Sequence, residues 1–600
     1  MLEPTKVVWN LKDLFGAIDD PRIEQSLEEQ LQRSIAFEER YRGRINVPDL
    51  SASTLQESLQ EFESIQQEGA KPGTYSGLLF SADTNDPERG ALMQRIQERS
   101  TEISLHLLFY ELDLMAIPEE VLQPLMAAEE LANYRHFLTS LRAFREHILT
   151  EPEEKILEEK ANSGRRALDR LFDEVTSNTA YNVEGQEGEL NQSEVLAMLR
   201  NPDREVRRLA ASGFSEGLKT QARVVTFIFN TLLLDKQVDD RLRRYAYPEE
   251  SRHLANELDR ETVEVMAQTC VDNYPLVARY YHVKRQILGY DELTHYDRYA
   301  PLFDATEEVS FEEGKSIVLE AFGAFNPTME EAAREFFDKE WIDAEVRKGK
   351  RGGAFCSYAT PDLHPYVLVN YLNRMDDVMT LAHELGHGVH SSVSRIQSYL
   401  NFHGTLPVAE LASTFGEMLV FEKLQARATL QDRLALYAEK IEGVFATIFR
   451  QAAMYRFEQA IHARRREQGE LTTEEYSDIW QGSIQAMFGD SVKLGDEHKL
   501  WWAYVSHFVG SPFYVYAYSF GELLVLALFS MYKREGQPFA DRYLELLRTG
   551  GSLSPQEMMS RVGINLRDPN FWKGGMEVLE GMIARFEEIH GEWQASGAKA

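Results

Sequence analysis

The stretch "LAHELGHGVH" at residues 381–390 places His383, Glu384 and His387 in the pattern H-E-x-x-H. On a helix, residues four apart project the same way, so the two imidazoles can share one zinc ion. Glu384, next to the first histidine, then lies beside the metal and can take a proton from a water held there. That set of roles is the core of a metallopeptidase. The bland alternative, two histidines one turn apart by coincidence, is weak in a chain with only 15 histidines among 600 residues.

A catalytic zinc takes a third protein ligand and keeps one position open. His390 fails, because seven residues carry it about 10 Å along a straight helix. The metzincin spacing fails as well, since it needs Gly at 390 and His at 393, where this chain has His390 and Val393. The third ligand must come from another element. "HGTLPVAELASTFGEML" at 403–419 offers a helix opened by Pro407, with Glu410 and Glu417 on one face and Thr414 between them. Glu410 is expected as the ligand and Glu417 as the carboxylate that orients a histidine. A salt-bridged pair at a helix interface is the alternative for these glutamates, and His403 is a competing ligand.

Donors for a developing oxyanion are sought in "WWAYVSHFVGSPFYVYAYSFGE" at 501–522. In a helix broken near Gly510 and Pro512, His507, Tyr514 and Tyr518 fall close to one face while Tyr516 points away. A phenol donates a proton without changing charge at neutral pH. Read alone, the segment also fits an aromatic core stripe.

The elements that must position these groups are mostly helical. Apolar residues recur every three or four positions in "LQESLQEFESIQQ" and "TVEVMAQTCVDNY", and no fixed-period repeat appears. The polar loop "NVEGQEGELNQ" at 182–192 suggests a boundary, giving an N-terminal helical lobe over 1–190 and a catalytic region over 191–600. Before the histidine helix, "RKGKRGGAFCSYATPDLHPYVLVNYLN" is broken by Gly352, Gly353, Pro361 and Pro365 and ends in a β-branched and aromatic run. It predicts a strand or hairpin, either packing filler or an open edge near "YVLVNY" on which an extended peptide can pair.

Composition narrows the partners. A balance of 64 basic against 97 acidic residues leaves a net charge of −33, which disfavours nucleic acid and anionic lipid. Two cysteines, Cys270 and Cys356, make no disulfide framework and suit a reducing compartment. The N-terminus has no apolar signal-like run, and "LLVLALF" at 523–529 is far short of a membrane span, so the expected location is cytoplasmic.

Three motifs in this order, "HELGHGVHS", "AELASTFGEML" and "HFVGSPFYVYAYSFGE", resemble the thimet-oligopeptidase-like zinc peptidases, specifically the oligoendopeptidase F branch. "VVWNLKDLF", the stretch from "YRHFLTSLRAF" to "ALDRLFDE", and "NPDREVRRLAASGF" are similar to that branch's helical lobe, so the resemblance covers nearly the whole chain. It implies a mainly α fold, zincin-like, with two helical lobes flanking a deep channel and a small β-sheet next to the zinc helix. It also implies one zinc per chain and hydrolysis of internal bonds in short unstructured peptides. His383, His387 and Glu410 match the family's ligands and Glu384 its base; His507 and Tyr518 match substrate-side groups, and Tyr514 matches less closely because the spacing shifts by a residue or so. Gly352, Gly353, His364 and Tyr366 fall in the segment on which the family lays substrate backbone. The rival readings are a zinc exopeptidase such as a carboxypeptidase, and a catalytically degenerate helical peptide-binding protein. Cleavage preference and oligomeric state are not legible.

Overall fold

The computed structural model describes residues 5–303 and 308–596. Helices dominate, as the periodicity predicts, and the chain forms two compact units, each assembled from three segments. The first unit comprises Met1–Arg145, Glu307–Arg427 and Met531–Asn565; the second comprises Glu146–Thr306, Ala428–Ser530 and Leu566–Ala600. The sequence-based cut near residue 190 is therefore not where contacts divide the chain, and the 182–192 loop lies inside the second unit. A polar loop marks where chain is exposed, not where packing stops.

In the first unit, helices α1 (Pro21–Tyr41), α2 (Ala52–Ala82) and α3 (Pro87–Ala116) start at the side-chain caps Asp20, Ser51 and Asp86. Their apolar faces meet around Phe37, Phe62 and Tyr110; the Phe37 and Tyr110 rings lie edge to face at 4.9 Å, and the Tyr110 hydroxyl shares a 2.7 Å hydrogen bond with Ser58.

A three-stranded sheet in the same unit has the order β1 (Ile342–Asp343), β3 (Tyr366–Leu368), β2 (Phe355–Ser357). β1 runs parallel to β3, and β2 runs antiparallel to it with Cys356 opposite Val367. The predicted hairpin is thus present, but "YVL" is its buried central strand, paired on both sides, rather than an open edge. The outer edge belongs to β2, and no strand covers it among the described residues. The loop before β2 is held by Lys350, whose buried ammonium pairs with Asp343 at 2.8 Å and donates to the carbonyls of Asp343, Glu345 and Val369. At the C-terminal end of α2, Thr84 and Ser81 bond the same loop through Gly349 and Arg351.

The second unit is organised by the long helix Arg204–Arg243 and an aromatic core in which Phe214 meets Trp501 edge to face and Tyr476 stacks on Trp502. Asp297 is fully buried and receives both Arg204 and Arg207, tying this helix to the 294–297 turn. Glu458 is buried with one oxygen accepting the Phe513 N–H at 2.7 Å and the other without a partner. Burial pushes its carboxyl up to about 8. The folded state therefore binds a proton that the unfolded chain releases near its ordinary value of 4.5, and this stabilisation is complete below that value and disappears as pH rises through about 8. Glu458→Gln keeps the acceptor and removes the titration. It is expected to melt like the parent near pH 4.5 and progressively higher than the parent as pH rises to about 8, by several degrees there, and a parallel pH dependence of the two proteins would refute this ionisation.

Both cysteines are free thiols, Cys270 buried and Cys356 on β2. No helix among the described residues is long and apolar enough to cross a membrane.

Candidate metal centre and active site

The histidine helix, Met375–Ser394, begins where the sequence places Asp376 and Asp377, with Asp377 accepting the backbone N–H groups of Leu372 and Arg374 at 2.8 Å. The His383 and His387 rings lie 4.9 Å apart on one face. Glu410 meets both: its Oε2 is 3.3 Å from His383 Nε2 and 3.3 Å from His387 Nε2. One nitrogen or oxygen atom from each of these three residues falls within 4.8 Å of the others, a spacing that suits a single metal ion with a position left open. On the far side of His383, Nδ1 contacts Glu417 Oε1 at 2.5 Å. Both glutamates thus address one imidazole, Glu410 at Nε2 and Glu417 at Nδ1, which fixes the ring for ligation through Nε2.

Local structure explains the reach of Glu410. Pro407 opens only a short turn, Leu406–Ala409, and Glu410 sits at the junction before a second helix, Leu411–Arg427, rather than inside one continuous helix. Its carboxylate is steadied by the Ser413 hydroxyl at 2.6 Å. The two helices approach closely because Gly386 faces Ala412 and Ser413: a Cβ there would stand 2.4 Å from the Ala412 carbonyl oxygen and 2.6 Å from Ser413 Cα. Both obstacles are backbone and cannot swing aside. Gly386→Ala is expected to cost about 1–3 kcal/mol of stability and to weaken metal binding by spreading the ligands; unchanged melting together with unchanged metal affinity would contradict it.

Burial pushes the His383 imidazolium down, but the bonds from Glu410 and Glu417 outweigh this and hold its pKa well above the usual histidine value. Glu410 is pushed up by burial and pulled well below the carboxylate range by both histidines. The pocket is thus built to keep Glu410 anionic beside a cation, which fits a divalent ion. Glu384 is 6% exposed and is raised by burial, with Glu410 and Glu417 adding repulsion against the pull of the histidines.

His383, Glu384, His387 and Glu410 line a cavity of about 530 Å³. Cys356, Tyr358, His390, Phe402 and His403 complete much of its wall. His403, the competing ligand, stacks on Tyr358 with ring centroids 5.4 Å apart and is outside the metal-ligating group. His390 is also not a ligand; burial and the neighbouring His387 and His403 lower it to about 4, so it is a neutral wall. Tyr358 was not singled out in the sequence. Burial, with Cys356, Glu410 and Glu384 nearby, raises its phenol well above the usual value and leaves it a neutral donor. The only sequence signal for it is its place in the glycine- and proline-broken segment that predicts a strand or hairpin.

Among the strand candidates, Gly352 and Gly353 lie in the exposed loop leading to β2, with Gly353 at φ +76°. Tyr366 is buried on the central strand against Trp9, and His364 stacks on Trp341 at 3.7 Å while contacting Asp13 at 3.0 Å. Both side chains are thus engaged in packing the sheet. In the second unit, His507, Tyr514 and Tyr518 do cluster: His507 Nε2 is 3.2 Å from the Tyr518 hydroxyl, and the Tyr514 and Tyr518 rings are 5.1 Å apart. Burial lowers His507, favouring the neutral imidazole. Tyr516 points away as expected, into the core, where it receives a 2.7 Å bond from Asn256.

Comparison with known proteins gives the family. The profile described as Peptidase family M3 matches residues 197–578, and one described as Oligopeptidase F matches 113–180. The chain is 28% identical over 596 residues to Oligopeptidase PepF of Bacillus subtilis, covering 97% of this chain and 87% of that one. A solved structure from Chlamydophila abortus superposes with TM-score 0.85 at 21% identity, covering 97% of this chain and 98% of that one. The oligoendopeptidase-F structure from Enterococcus faecium gives TM-score 0.72 at 21% identity over 96% and 100%.

Proposed function

From the premise that this chain belongs to peptidase family M3, and is a peptidase, we propose that it is a zinc-dependent endopeptidase acting on short unstructured peptides. The convergence of His383, His387 and Glu410 on one point, with Glu417 orienting His383, carries the reading. His383, His387 and Glu410 would hold the zinc ion, which would supply Lewis acidity and make water more acidic at the site. Glu384, buried in the same cavity, accepts a proton from the attacking water as the new C–O bond forms. It then returns that proton to the amine nitrogen as the C–N bond breaks.

Substrate backbone is expected on the free edge of β2, which borders the cavity through Phe355 and Cys356. Strand addition needs an extended chain and reads side chains only weakly. A folded protein must first unfold locally or globally, at up to about 5–15 kcal/mol. Elemental analysis should give about one zinc per chain, and mass-spectrometric mapping should show internal cuts in varied unstructured peptides that stop on chelation. The same segment inside a folded domain should survive. Full activity in zinc-free protein would refute the metal assignment, and stepwise loss of terminal residues would refute the endopeptidase one.

A further inference from the structure

The second unit contains a separate cavity of about 500 Å³ between the helices Tyr274–Leu288, Leu430–Thr447 and Phe449–Gln468 and the 298–303 segment. Its volume is in the range of small-molecule sites. Three guanidinium groups line it, Arg200, Arg298 and Arg450, in a chain whose net charge is −33. Arg298 is 7% exposed, and its Nε and that of Arg450 are buried without a partner. Among the described residues no carboxylate forms an ion pair with any of the three arginines. The two carboxylates in the lining do not neutralise them: Glu442 is engaged by Lys284 at 2.6 Å and by the Tyr280 hydroxyl at 2.8 Å, and Glu439 is exposed.

The arrangement is held from behind. Asp297, pinned by Arg204 and Arg207, fixes the backbone just before Arg298, and Lys284 donates to the Arg298 carbonyl at 2.8 Å. Arg298 Nη2 donates to the Tyr299 hydroxyl at 2.5 Å, leaving the phenol proton to point elsewhere. Burial pushes the Tyr299 phenol up, yet the charges of Arg298, Arg450 and Arg200 bring it below its usual value, a measure of how positive this corner is. Arg298 is buried, Arg450 half-buried and Arg200 exposed; burying a guanidinium with no opposing charge is costly, so an anion is the natural complement. The remaining wall is apolar, with Val277, Leu302, Phe445 and Phe488.

We propose that this cavity binds the free carboxylate of a small apolar ligand, of the kind that ends a peptide or an N-acyl amino acid, through Arg298, Arg450 and the Tyr299 hydroxyl. A carboxylate suits the forked donors of arginine. A phosphate dianion is disfavoured by Glu439 and Glu442 in the same lining. The assignment uses none of the metal residues and stands or falls independently of the peptidase reading.

Calorimetric titration of the full-length protein with N-acetyl-leucine tests it. Saturable binding is expected, with N-acetyl-leucinamide and inorganic phosphate each weaker by about tenfold or more. Arg450→Met should lose about tenfold in affinity for N-acetyl-leucine, while Glu410→Ala should bind it like the parent. If Arg450→Met does not fold, Ala438→Leu, which narrows the cavity without removing a charge, should show the same loss. Equal binding of the amide, equal binding of phosphate, or full affinity in the folded arginine variant overturns the proposal. Loss of binding in Glu410→Ala also overturns it, by placing the carboxylate at the metal centre.

Discussion

Glu384→Gln is expected to keep its full complement of metal and its peptide affinity while losing about 10²–10⁴-fold in turnover, the usual worth of a positioned general base. The amide preserves the size of the side chain in a site where Glu384 is only 6% exposed, so the cavity wall should not change shape. The other carboxylates of the centre are already engaged. Glu410 is shared between two imidazoles and Glu417 is committed to the third ring nitrogen, His383 Nδ1. His390, neutral and lowered to about 4, is too weak a base. Glu384→Asp should recover part of the loss if the carboxylate, rather than mere charge, is what matters. Single-turnover measurement on a peptide, with metal determined on the same sample, separates the cases. A variant whose turnover falls only in proportion to its metal content would remove Glu384 from the role of base.

Much of the centre is legible because its parts are local. His383, Glu384 and His387 occupy little more than one helical turn, so spacing alone determines which way they face. Glu410 and Glu417 are separated by two turns, and their common face is also readable, although the break at Glu410 is not: it depends on how the short 406–409 turn packs. Helix existence is legible for the same reason. What sequence cannot reveal depends on partners far away in the chain. His364 looks like a site residue until Asp13, 351 positions earlier, and Trp341 are seen to hold it. "YVLVNY" looks like an edge until the two-residue strand Ile342–Asp343, too short to leave a pattern, pairs with it. Gly386 reads as a tolerated helix glycine, and only the approach of Ala412 gives it a purpose. The contact-based units are not legible on the same ground, since each gathers three separated segments.

Glu410→Ala is expected to lose metal outright, and the comparison with Glu417→Ala gives that result its meaning. Glu410 Oε2 is 3.3 Å from Nε2 of each histidine, so its removal takes one of the three proposed ligands and a negative charge shared by both rings. Glu417 meets His383 at the opposite nitrogen, Nδ1. Its loss leaves three ligands but frees the ring to rotate and to bind a proton at the wrong nitrogen, which costs about 10–100-fold in metal affinity for a group of this kind. The three variants should therefore rank Glu410→Ala, then Glu417→Ala, then Glu384→Gln in zinc lost at a fixed chelator concentration. Activity in Glu417→Ala should return with excess zinc, because the base and ligands are intact. Activity in Glu384→Gln should not return, because its defect lies in the proton transfer. Melting curves without zinc exclude unfolding as the cause in each case. If Glu417→Ala lost more metal than Glu410→Ala, the two glutamates would have to exchange roles, and the ligand set would become His383, His387 and Glu417.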